Sequence, residues 1–130
     1  MATIKEDYVS LEIARLLSRK KFNEECLMKY VDEELMNIYD SDFPSPYELD
    51  NYNSEVIDAP TLQMAMKWLR EVHKLEITPF HEMFQGNSWW YRIERNTSLS
   101  LLVEYEEDSI YGSYEQACEA AIKYCLENLI

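Results

Sequence analysis

Three stretches of the chain place apolar residues at helical spacing. Between positions 10 and 20, Ile13, Ala14, Leu16 and Leu17 form one stripe, with Glu12, Arg15 and Arg19 on the other side. Ser10 is a good N-cap, and the basic run Ser18-Arg19-Lys20-Lys21 complements the helix dipole. Over 61–73, Leu62, Ala65, Met66, Leu69 and Val72 share one face, while Gln63, Lys67, Arg70 and Lys74 line the opposite one. The third helix is expected over 113–128. Ser113 and Gln116 have the spacing of a capping box, in which each side chain satisfies an amide of the other. Its stripe is Tyr114, Ala117, Cys118, Ala121, Ile122, Cys125 and Leu129, and Glu119 with Lys123 makes a favourable pair on the exposed side.

Alternation takes over between residues 75 and 105. "LEITPFHEM" leads to the turn signal Gln85-Gly86-Asn87. "SWWYRIER" then puts Trp89, Tyr91 and Ile93 on one face, and "SLSLLVEYE" does the same for Leu99, Leu101, Val103 and Tyr105. Turns this short predict an antiparallel meander. Pro79 has no amide to donate, so its strand is an edge or carries a bulge. "CLMKYV" is a candidate fourth strand, although its periodicity is ambiguous.

Residues 32–60 follow neither period. "EELMNIY" fits a short helix or a strand, and "FPSPYELDNYN", interrupted by Pro44 and Pro46, reads as a loop. A structureless loop this long is unusual inside a compact domain. Leu35, Met36, Ile38, Tyr39, Phe43, Val56 and Ile57 are too many apolar anchors for a disordered tract, so the segment is expected to be a partly packed excursion. The pattern as a whole predicts one domain over 1–130 of the α+β class. An antiparallel sheet of three to four strands would carry the helices mainly on one face.

Charge changes this picture. The chain has a net charge of −13, yet residues 30–66 contain no lysine or arginine beside Asp32, Glu33, Glu34, Asp40, Asp42, Glu48, Asp50, Glu55 and Asp58. Such a field repels phosphate backbones and anionic lipid, which disfavours direct nucleic-acid or membrane binding. No apolar run approaches the roughly 20 residues of a membrane-spanning helix. The start "MATIKEDYVS" lacks the hydrophobic region of a signal peptide. Cys26, Cys118 and Cys125 are sparse and odd in number, as expected of reduced thiols in the cytoplasm.

No catalytic, cofactor or metal assignment follows from the residues. Cys118 and Cys125 sit on a helix stripe and read as small buried hydrophobes, which leaves Cys26 as the thiol of undetermined surroundings. His73 and His81 with Glu71, Glu76 and Glu82 lack the spacing of a zinc site. Asp40 and Asp42 begin like a calcium loop, but Pro44 and Pro46 stand where a ligand and the turn glycine belong. Glu104, Glu106, Glu107 and Asp108 show no apolar pocket of the kind that raises a carboxyl pKa. Trp90 points to the opposite face from Trp89, where it is either covered or offers a platform beside Arg92. Lys67, Arg70 and Lys74 are expected to pair with acids of the central excursion.

"YVSLEIARLL", "PTLQMAMKWLREVH" and "SYEQACEAAIKYCLENLI" resemble a group of small uncharacterised proteins of gut bacteria and their phages. The resemblance spares residues 31–58 and carries no known activity. It implies a phage or mobile-element setting, in which interaction proteins and inhibitors are commoner than housekeeping enzymes. Tyrosine beside Asp and Asn is the composition of interface loops. The leading expectation is therefore a non-enzymatic cytoplasmic module that binds another protein through Tyr39, Asp40, Asp42, Tyr47 and Tyr52, within residues 39–58. Two alternatives stand beside it. One is an acidic nucleic-acid mimic that inhibits a DNA-handling protein, and the other is a small enzyme or ligand-binding domain using the Trp90 face. A homodimer is compatible with all three.

Overall fold

The computed structural model describes residues 4–82, 88–97, 100–103 and 110–130. Its elements run α1 (Leu11–Arg19), β1 (Met28–Val31), β2 (Glu34–Asn37), α2 (Pro46–Asn51), β3 (Val56–Asp58), α3 (Leu62–His73), β4 (Leu75–Glu82), β5 (Ser88–Arg95), β6 (Ser100–Val103) and α4 (Tyr114–Tyr124). A π-helical turn, Cys125–Leu129, extends α4. The class is α+β, with two antiparallel sheets ordered β2-β1-β3 and β4-β5-β6. The second sheet is the expected meander. The first gathers "CLMKYV" and two strands from the central segment.

Each of the three long helices starts where a hydroxyl can accept an orphan amide. Ser10 Oγ accepts from the Ile13 amide at 3.3 Å, Thr61 Oγ1 from Met64 at 3.1 Å, and Ser113 Oγ from Gln116 at 3.1 Å. The last cap differs from a reciprocal box, because Gln116 Oε1 accepts from the Gly112 amide at 2.9 Å rather than from Ser113. α3 ends on Lys74 in the left-handed region, its amide donating to the Leu69 carbonyl.

The core lies between the helices and the second sheet. Helix α4 packs on β4 and β5, α3 on β4 and α4, and α1 on β3 and α4. Ile13, Leu17, Leu69, Leu75, Ile93, Ile122 and Leu126 are fully enclosed there. The expected stripe of α3 is buried at Leu62, Ala65, Met66 and Leu69 but not at its last position. Val72 is 55% exposed, and Trp68 takes the buried place, edge-on to Phe22 at 5.3 Å and to His73 at 4.7 Å. A large ring recruits neighbours from outside the stripe, so burial rotates toward it.

Three further expectations are corrected. Glu119 and Lys123 do not pair with each other: Glu119 Oε1 accepts from the Ser10 amide at 2.9 Å, and Lys123 meets Glu12 at 3.0 Å, so both tie α4 to α1. Arg70 lies beside Glu71 and Glu76 at 3.9 and 4.0 Å, and Lys74 Nζ donates to the Glu71 carbonyl, rather than reaching acids of the central segment. In β6 the pairing register shifts at Ile93/Glu94, leaving Leu101 exposed while Leu102 and Val103 pack against the core. Strand β4, which holds Pro79, is at the edge of its sheet. Gln85-Gly86-Asn87, Leu99, Tyr105, Glu104, Glu106, Glu107 and Asp108 lie outside the described residues.

Candidate interaction surface

The central segment is built by local backbone chemistry. Asp32 and Glu33 join β1 to β2 with φ of 47° and 74°, the two successive positive values of a type I′ hairpin turn. The Asp32 amide donates to the Glu55 carbonyl, and Asp32 Oδ1 accepts from the Glu55 amide, both at 2.9 Å. This reciprocal pair sets β3 alongside β1, where Lys29, Tyr30 and Val31 face Asp58, Ile57 and Val56. Arg15 of α1 reaches over to Glu55 at 2.9 Å and Glu33 at 3.5 Å.

Between those strands, the prolines begin a helix instead of preventing one. Ser45 caps α2 by accepting from the Glu48 amide at 3.2 Å, and Pro46 occupies the first turn, where no amide is needed. At the other end Asn53 is left-handed (φ 51°) and Ser54 donates back to the Leu49 carbonyl at 3.0 Å. Phe43 and Leu49 are half-buried and anchor the segment. The loop expected at 43–53 is therefore a capped six-residue helix between two turns.

This frame leaves the tyrosines outside. Tyr39, Tyr47 and Tyr52 are 80%, 76% and 75% exposed, and Asp40 and Asp42 are exposed with them. Asp58, by contrast, is half-buried and joined to Lys29 by an ion pair. Trp90 belongs to the other sheet. It is half-buried on the face of β5 opposite Trp89, edge-on to Phe80 at 5.2 Å, and the Arg92 guanidinium lies 5.7 Å from the Phe80 ring centre. Trp89 turns inward to Tyr114 of α4 at 5.4 Å.

One feature of this surface had no signature in the chain. A cleft of about 480 Å³ opens where the β1–β2 ladder ends, lined by Glu25, Cys26, Leu27, Lys29, Ile38 and Tyr39. Leu27, one of its lining residues, is 58% exposed. Burial, reinforced by Asp58 and Glu24 and opposed by Lys29, pushes the Cys26 thiol up to about 11. Its S–H lies 3.5 Å from the Glu24 carbonyl.

The remaining thiols are enclosed. Burial raises Cys118 to about 11 and Cys125 to about 12, so both are protonated at neutral pH and are poor nucleophiles. Among the described residues, no group of three or more His, Cys, Asp or Glu is placed to hold a metal ion, and no helix is long and apolar enough to cross a membrane. No family model, curated protein or solved structure matches the chain.

Proposed function

We propose that this chain is a non-enzymatic module that binds another protein, and that residues 39–58 form its recognition surface. One observation carries the reading: three tyrosines stand exposed on a segment whose backbone is held by caps and turns. A rigid tyrosine gives contact area at small entropic cost on binding, because its ring has few rotamers to lose. The acids between residues 30 and 66, with no lysine or arginine among them, select a basic partner surface and speed its approach. A phage or mobile-element setting accords with a protein that acts by occupying a host partner.

The test compares proteins captured from host lysate by the native chain and by two variants. Tyr47→Ala with Tyr52→Ala removes ring contacts. Asp40→Asn, Asp42→Asn and Asp50→Asn remove charge and keep shape. Loss of a captured protein with the tyrosine pair, at an unchanged thermal midpoint, is the expected result. Capture that depends only on the aspartates and fades with salt would instead support the acidic mimic. A captured set unmoved by either variant would sink the proposal.

A further inference from the structure

The cleft beside Cys26 is distinct from the ring contacts of α2, and its chemistry is mixed in an informative way. Leu27, Ile38, Tyr39 and the protonated Cys26 thiol supply its apolar lining. Its basic lining residue, Lys29, is already engaged by Asp58. Glu25 also lines it, Asp40 follows Tyr39 directly, and Asp42 comes two residues later. The site therefore combines apolar side chains with acidic groups in and beside it. Its volume falls within the roughly 300–1000 Å³ of pockets that hold a compact ligand, enough for a large side chain with its flanking backbone.

Strand addition is a poor way to use this place. The β2 edge is closed off where the cleft begins, since the Asn37 carbonyl accepts from the Asp40 amide at 3.0 Å and Asn37 Oδ1 accepts from the Tyr39 amide at 2.8 Å. A partner that meets the chain here inserts a side chain rather than pairing backbones. We infer that the cleft receives one large apolar side chain from a basic segment of the partner protein, its lysines or arginines lying against Glu25, Asp40 and Asp42. This rests on the reading of residues 39–58 as a recognition surface and adds the kind of sequence the partner presents. Burial in the same cleft holds the Cys26 thiol protonated, and Asp58 and Glu24 add to that effect.

Cys26 also supplies a reporter. The other two cysteines are enclosed, so iodoacetamide at pH 9 reads the cleft thiol alone while the fold is intact. The probe is a pentapeptide of four lysines around a central tryptophan. It is compared with one carrying alanine at the centre and one carrying glutamates in place of the lysines. At about ten times its dissociation constant the first peptide should slow alkylation about tenfold. It should also move the amide resonances of Leu27, Ile38 and Tyr39 in 1H–15N spectra. The other two peptides should do neither, and Leu27→Asp, at an exposed position, should abolish both effects. Equal effects from the alanine peptide would reduce the site to charge alone, and equal effects from the glutamate peptide or none from any would overturn it. Shifts that appear on concentrating the protein without peptide would give the cleft to a second copy of the chain. If lysate capture still depends on Tyr47 and Tyr52 while the peptide fails, only the cleft inference falls.

Discussion

The two sheets of this molecule are stabilised in different ways. In β4-β5-β6 the outer two of the three strands frame a central one that sends Tyr91 and Ile93 into the core, and α3 and α4 cover that face. In β2-β1-β3 the strands are four, four and three residues long, and only Val31 and Ile57 are buried. What the small sheet lacks in apolar burial it replaces with local bonds: the reciprocal Asp32–Glu55 pair, the Lys29–Asp58 ion pair and the reach of Arg15. A region held this way keeps its outer side chains uncommitted. Tyrosines and a leucine can then face water without loosening the core.

The contrast is sharpest in a core truncation set against a surface one. Leu69 is fully enclosed between α3 and its neighbours, so Leu69→Ala should cost about 2–5 kcal/mol in denaturant melts. Tyr47→Ala should cost less than about 0.5 kcal/mol. If the two were equal, the contrast between the packed core and the locally bonded central segment would be mistaken.

A smaller effect tests the frame of the surface. Ser45→Ala removes the α2 cap at a cost of about 1 kcal/mol. The loss should appear as faster hydrogen exchange of the α2 amides while the amides of α4 keep their protection. Glu33→Gly runs in the opposite direction. A non-glycine residue in the left-handed region costs roughly 1–2 kcal/mol, and the ion pair surrendered is a long one on a side chain that is mostly in water. A gain of about 0.5–1 kcal/mol is expected from the denaturation midpoint.

The least effect concerns pH and belongs to the packed half. Burial, and then the nearby charge of Lys20, lower the His73 pKa below its ordinary 6.5. Its Nε2 is enclosed without a hydrogen-bond partner, against the Trp68 ring. The unfolded chain thus binds the proton more readily than the folded one. Stability from this group is complete above pH 6.5 and is lost as pH falls through the folded value. Melts of His73→Gln should lose that part of the acid slope, and a slope identical to the native chain's would assign it to other groups.

What could be read from the chain alone divides along the same line. The three long helices and the meander were legible because each buries one face and so repeats an apolar period. Trp68 and Val72 show the limit of that reading, since ring packing with Phe22 and His73 buries Trp68 beside the stripe while Val72 is left exposed. The first sheet was illegible for a different reason. Its hairpin turns on Asp32-Glu33 rather than the usual Asn-Gly, and its helix opens on a proline that resembles a breaker. Tyr39, Tyr47 and Tyr52 could be singled out as candidates from composition, and the structure leaves all three exposed. The cleft could not, because it exists only where Leu27 and Ile38 close the last rung of a ladder.

The bond between Ser10 and Glu119 has a consequence for how the protein is made. It spans 109 residues, and the Glu12–Lys123 pair beside it spans slightly more. At roughly 5–20 residues per second, a ribosome leaves α1 waiting about 5–20 s for α4. Until α4 arrives, the inner faces of α1, β4 and β5 are open to water and to proteases. Ribosome-bound chains arrested before Tyr114 should therefore be cut within α1 at protease levels that the released protein survives. The strand pairings of the small sheet and its Arg15–Glu55 ion pair all lie between residues 15 and 58, so they can form while the core is still open. In the nascent chain, the proposed recognition surface precedes the core that later supports it.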